Sequence, residues 1–399
     1  TTEQAASITM MACESDPILF DLSNNQSQRF LDILFNIKTV YGSVHRYISI
    51  LLCVCGLLAN SVHIWVLTRP QMRDSSVHTV LTCIAMADMG TMISYSIYIT
   101  RFEFFMDTSG YSYGWAVFLK LHAVFSISLH AISLYLVVLM AFIRFMAIKA
   151  QYTKWMMPQL ACATSGIVAI CIFLLCIPTF LVHQIYPRES EGDDASLPTK
   201  YSVGFSNIFL DNQCALLKMN LWLTGIVLKV SSILAYRLVS RSVMFQAVPC
   251  FLLLGFTFAL LKKLRENSKK RSALLHINDD KRSDRITYVL LLMVAVFLTT
   301  ELPQGVFAIF NAVFTYQFHG FIYMSIADIL DLLSLINCYV GFLVFVITGS
   351  KYRETLMTLI PFLKTRCSKN QTHITYKKGT DLKTKSCEMV DFHKPEEHV

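Results

Sequence analysis

The chain has 399 residues, of which 54% are hydrophobic and only 16% charged, and its mean hydropathy is +0.49. An ordinary soluble domain cannot hide that much apolar surface from water, so lipid is the expected solvent. The net charge of +8 collects in loops on one side of the membrane, where anionic lipid attracts it, and it calls for no nucleic acid.

The N-terminal residues 1–46 read as an extracellular segment. The chain opens Thr-Thr-Glu without a Met, as expected where a leader such as a signal peptide has been trimmed or left out. Asn25-Gln26-Ser27 is a glycosylation sequon that can be used if it lies outside, whereas Asn370-Gln371-Thr372 falls on the predicted cytoplasmic side.

Crossing a hydrocarbon core of about 30 Å takes roughly 20 apolar residues in one helix, because each span must satisfy its own backbone. Six such runs follow in order: Tyr47 to Leu67, Val77 to Thr100, Trp115 to Ile148, Pro158 to Val182, Ile286 to Phe310 and Phe321 to Thr348. A seventh lies within Leu216 to Leu261. The fold predicted is an all-α bundle of seven spans over 47–348, with a short amphipathic helix after the last and a cytoplasmic tail over 349–399. Arg69, Arg73, Lys149, Lys154 and the basic run from Lys262 to Arg285 fall in alternate loops, while Glu189, Glu191, Asp193 and Asp194 crowd the connection after the fourth span. Positive loops stay inside, which places the N-terminus outside the plasma membrane.

Leu216 to Leu261 is too long for one span and holds Lys229, Arg237 and Arg241, charges that cost about 2.5–3.5 kcal/mol each at mid-bilayer. Deleting 230–246 joins the flanks into a normal span with a kinking Pro249. Val-Ser at its start can be encoded by GTAAGT and Phe-Gln at its end by TTTCAG, splice-site sequences. Residues 230–246 thus read as a short retained intron, or else as an extra helix or loop. Of twelve Cys, eight lie in the runs as small apolar residues. Cys13 and Cys214 share the oxidising side and are a candidate disulfide. Cys367, past the amphipathic helix, is a palmitoylation site or a free thiol.

Ionisable side chains inside a bilayer are expensive and therefore functional candidates. Asp88 is central in span 2, Arg144 ends span 3, Glu301 lies in span 6, and Asp328 and Asp331 lie in the outer half of span 7. Asp328 and Asp331, three apart, share a helix face that lipid would not tolerate. Gln304 lies one turn from Glu301, and Pro303 bends the helix between them. A cavity lined by Glu301, Asp328 and Asp331 favours a cation, best a bidentate Arg guanidinium. Tyr98, Arg101, Ser126 and His130 complete the candidate ligand contacts. Internal pairing, such as Arg101 with Asp328, is the alternative. His122 and His130 fall on nearly one face, where a satisfied interhelical His is the expected role.

Ala59-Asn60, Ala85-Met86-Ala87-Asp88, Arg144-Phe145, Pro249 and Pro303 together resemble the rhodopsin-like G-protein-coupled receptor pattern. More narrowly, Leu67-Thr68-Arg69-Pro70-Gln71-Met72-Arg73, Thr300-Glu301-Leu302-Pro303-Gln304-Gly305, Asp331-Leu332-Leu333-Ser334-Leu335-Ile336-Asn337 and Ser350-Lys351-Tyr352-Arg353 resemble myosuppressin-type neuropeptide receptors, numerous in nematodes and grading into the Srw serpentine chemoreceptors. The resemblance implies that Arg144 contacts a heterotrimeric G protein. Since Ile143 replaces the preceding acid, it also implies raised basal activity. It implies an internal sodium site at Asp88, Ser133 and Asn337, although Gly341 and Phe345 stand where helix 7 usually carries Asn and Tyr. Leu119 replaces the usual outer Cys of helix 3. The family's ligands are short amidated peptides ending in Arg-Phe-amide.

A receptor for such peptides is therefore the expected function, with a chemoreceptor for environmental compounds as the alternative. No internal repeat suggests a transporter, no His-Glu-x-x-His or comparable set suggests an enzyme, and beyond that sodium ion no cofactor is expected.

Overall fold

The computed structural model describes residues 18–106, 110–149, 154–188, 200–205, 247–274, 296, 299–307, 309–310, 314 and 317–359. Among these, five helical stretches are long and apolar enough to cross a membrane: Asn25–Leu67, Ser76–Phe104, Tyr113–Ala147, Pro158–Ile177 and Gly320–Thr348. The first is α1, Asn25–Leu67. The second is α2, Ser76–Tyr98, prolonged by a wider π-helical turn over Ile99–Phe104. Helices α3, Tyr113–Lys149, and α4, Pro158–Val182, follow. The described part of the fifth helix, α5, is Ala247–Leu274, and 299–307 are helical in the sixth region (α6). The seventh span is broken: a π-helical turn Phe318–Tyr323 leads into α7, Met324–Asn337, and α8, Val340–Thr348, resumes after Cys338 and Tyr339. The amphipathic helix expected after it is α9, Ser350–Leu359.

Helix α1 departs from expectation. It starts at Asn25, where the Asn24 side chain accepts the Gln26 backbone N–H at 2.9 Å, and runs 43 residues. At 1.5 Å per residue that is about 65 Å, twice what the hydrocarbon needs. Hydropathy averaging starts the span at Tyr47 because Arg29, Asp32, Lys38 and Arg46 dilute the preceding turns. The sequon residue Asn25 is exposed at the helix start. Cys13, Cys214, Cys367, residues 230–246 and the acidic loop residues 189–194 lie outside the described residues.

A two-stranded hairpin accompanies the helical bundle. Strands β1, His183–Arg188, and β2, Lys200–Phe205, pair antiparallel with Tyr186 opposite Ser202. Tyr201 exchanges two backbone hydrogen bonds with Tyr111, at 3.1 and 2.8 Å. Gly110, at φ 112°, permits the turn that brings Tyr111 there. This backbone bridge ties the hairpin to the start of α3. The hairpin marks one end of the bundle, and Arg144 the other.

Outward faces are apolar, with Ile167, Ile170 and Leu174 of α4 all exposed, as lipid contact requires. Inside, Cys53, Met92, Tyr95, Ile99, Leu335 and Cys338 pack α1, α2 and α7 together. Leu134, Val138, Ala141, Cys250 and Leu253 join α3 to α5. A side chain at Gly56 would collide with the Met92 sulfur, so glycine sets the close approach of α1 to α2. Interrupting the seventh span frees the Cys338 carbonyl; Asn60 Nδ2 donates to it at 2.9 Å, so no buried acceptor is stranded.

Candidate functional site

At the middle of the bundle Glu301 is 1% exposed. Its Oε2 is 3.2 Å from His130 Nε2 of α3, and its Oε1 accepts the Asn337 side-chain N–H of α7 at 2.8 Å. Gln304, also buried, donates to Ser334 Oγ at 2.7 Å and to the Leu330 carbonyl at 3.3 Å. For Glu301 these contacts are the internal pairing that the sequence left open as the alternative to a ligand contact. Glu301, Gln304 and His130 knit α3, α6 and α7 together. Three helices share one carboxylate because leaving it unpaired at that depth would be costly.

Nearer the hairpin end Asp331 behaves otherwise. Tyr95 donates its hydroxyl to Asp331 Oδ2 at 3.1 Å, yet Asp331 remains exposed. Since that oxygen touches a core tyrosine, the carboxylate points between helices rather than to lipid. Tyr95 has spent its one proton, so it accepts from His45 Nε2, 3.1 Å away, and His45 Nδ1 accepts from Tyr41 at 3.2 Å. Tyr41, His45 and Tyr95 thus form a relay that orients Asp331 and, among the described residues, leaves its other oxygen without a hydrogen-bond partner. Asp328, one turn on, lies against Gly42, where a Cβ would sit 3.5 Å from its Oδ2. Among the described residues no cation lies within ion-pair distance of Asp328 or Asp331.

Parallel aromatic rings stand beside the two acids. His122 stacks on Tyr98 at 4.8 Å and 10° and on Phe118 at 5.8 Å, and Phe102 stacks on Tyr98 at 5.6 Å. His122 also bonds Ser94 across α2 and α3 at 2.7 Å, the interhelical role expected of it. Ser126 is half-buried one turn along α3. Arg101 does not reach Asp328. It bonds the Phe105 carbonyl and lies over the rings of Tyr111 and Trp115, at 5.1 and 5.5 Å, so the suggested internal pair is absent.

Toward the opposite end a partly open cleft runs from Asp88, Ser133 and Asn337 down to Arg144, with Leu253, Thr257 and Leu260 of α5 and Gly341 on its walls. The three polar residues expected to act together do share this wall. Ser133 and the Cys338 thiol approach the buried Asp88 carboxylate. Among the described residues no carboxylate pairs with Arg144. Below it His63, Phe345 and Tyr352 cluster, with His63 Nδ1 2.9 Å from the Tyr352 hydroxyl, and this contact docks α9 onto α1.

Seven helical regions with an internal polar network match a known architecture. The model of the serpentine type seven-transmembrane G-protein-coupled chemoreceptor family Srw matches residues 47–362. The chain belongs to that family. A G-protein coupled receptor of Caenorhabditis elegans, dmsr-1, is 28% identical over 383 aligned residues, which cover 84% of this chain and 72% of the relative. The chain is thus a multi-pass membrane receptor, and the fifth and sixth regions, described only in part, are two of its seven spans.

His45, Tyr95 and Tyr41 escaped the sequence reading. Tyr41 and His45 lie one turn apart on α1, within the residues 1–46 read as an extracellular segment, and Tyr95 lies on α2 in the second span.

Proposed function

We propose that this receptor binds a short amidated peptide whose Arg side chain docks on Asp331 and Asp328, with its terminal Phe among Tyr98, Phe102 and Phe118. The hairpin end faces the extracellular side of the plasma membrane and Arg144 faces a heterotrimeric G protein. One observation carries the reading: among the described residues the two neighbouring carboxylates on α7 have no cationic partner within ion-pair distance, and a tyrosine hydroxyl holds one of them. A guanidinium fits two such acceptors bidentately, and flat rings beside them suit both the cation and an aromatic neighbour. The basic inner loops favour this orientation.

The family description, a chemoreceptor, favours a second reading, in which the pocket takes an environmental compound. The acids favour the peptide, since a guanidinium gains more from Asp328 and Asp331 than an uncharged odorant does. The test is a panel of Arg-Phe-amide peptides applied to cells expressing the chain with and without 230–246, reading G-protein activation. Silence of every peptide in both forms, with the receptor on the surface, would remove the peptide reading.

Asp88, Ser133 and Asn337 would hold the sodium ion that the family resemblance implies. All three offer oxygen, the donor a hard cation takes, and all line one cavity. The Asn337 amide, having given its N–H to Glu301, keeps its oxygen for the ion.

A further inference from the structure

The outer half of α1 carries a stripe that neither the bundle nor the bilayer accounts for. Arg46 lies level with the end of the second span, its guanidinium 3.4 Å from the Glu103 carbonyl. Residues 25–45 continue the helix past that level by roughly 30 Å. On this stretch Leu31, Leu34 and Tyr41 are at least half-buried, whereas Phe30, Ile33, Ile37, Val40 and Val44 are exposed along one stripe, Val40 at 71% and Ile33 at 57%, and Phe35 is exposed singly on another face. Their spacings alternate three and four residues. The same alternation continues without a slip through Tyr47, Leu51, Val54 and Leu58 in the membrane, every one of them exposed.

A 3.5-residue period kept over four heptads is the signature of a coiled-coil seam, in which two helices supercoil and interlock knobs into holes. Lipid can cover Leu51, Val54 and Leu58. It does not reach along the part of the helix that carries Arg29, Asp32 and Lys38, where an unbroken line of exposed Ile and Val should mark an interface. The period identifies the partner. A straight patch would suit many surfaces, but a heptad seam suits another heptad seam. A partner that follows this one through the bilayer must be embedded beside it, parallel and in register. A second copy of this chain meets all three conditions, because the stripe is complementary to itself under two-fold symmetry.

We infer that α1 is a pairing helix: two copies of the receptor associate in parallel through the seam from Phe30 to Leu58, zipped outside the bilayer by Phe30, Ile33, Ile37, Val40 and Val44. Ile37 and Val44 occupy one core position of the repeat and Ile33 and Val40 the other. Arg29, Asn36 and Ser43 flank the seam and are exposed. This reading is independent of which ligand the receptor takes.

Single cysteines introduced from 32 to 44 into a full-length receptor carrying Cys13→Ser and Cys214→Ser, oxidised in intact membranes, test it. Disulfide-linked dimer should peak at 33, 37, 40 and 44 and vanish at 32, 35 and 39. Cross-linking without that period, or none at any position, would overturn the proposal, including the case where membrane or another protein covers the stripe. A double variant, Ile37→Glu with Val40→Glu, should reach the surface, bind ligand as before and lose the proximity signal between differently tagged copies. Retention of that signal would also overturn it.

Discussion

Glu301 and Asp331 are both carboxylates at membrane depth, one near the middle of the bundle and one toward the hairpin, and their surroundings could hardly differ more. Glu301 is closed in by His130 and Asn337 from two other helices. Asp331 has one tyrosine donor, an open oxygen and a second acid beside it on the same helix. The contrast separates two uses of the same group. A buried acid that several helices must satisfy specifies how they pack, whereas an accessible acid held in place but not neutralised stores attraction for something arriving from outside.

Substitution can sharpen or break this distinction. Glu301→Ala should cost about 3–5 kcal/mol of stability, the usual effect of removing one partner of a buried pair, read as lost surface expression and a lower melting temperature. Glu301→Gln, which keeps hydrogen-bonding capacity, should fall well short of that. Normal expression of the alanine variant would mean that the central carboxylate does not organise the bundle. Asp331→Asn should leave expression intact and weaken an Arg-bearing peptide by about 1.5–3 kcal/mol, roughly ten- to a hundredfold in concentration–response measurements; unchanged potency would remove Asp331 from the binding site. Tyr95→Phe deletes only the hydroxyl that aims Asp331, and a loss of about 1 kcal/mol in the same assay is expected. Arg101→Ala should change potency least, since Arg101 is engaged by Phe105, Tyr111 and Trp115 rather than by the acids. A tenfold loss there would move the ligand toward the rim of α2.

The distribution of apolar runs made most of the bundle readable, because a span must be apolar over most of its length. Where the physics is periodic rather than averaged, that reading failed. The turns of α1 before Tyr47 carry charge every few residues, so mean hydropathy drops while the stripe of Ile33, Ile37 and Val40 persists. The site was legible by residue type, since Glu301, Asp328 and Asp331 stand out in any membrane protein. Their roles were not. The His130–Glu301 contact joins positions 171 apart in sequence, and nothing local distinguishes a paired acid from an open one. Likewise Tyr95 and His45 are unremarkable alone and gain meaning only when α1, α2 and α7 meet.

The break between α7 and α8 has a mechanical consequence. Asn60 grips the Cys338 carbonyl at the discontinuity, Asp331 lies above it, and Gly341 lies below, on the wall that Arg144 shares. A lever hinged at its middle need not tilt as one rod. Under the proposed function the lower arm would be free to swing toward the G protein while the upper arm holds the peptide, with Asn60 between them as the fulcrum.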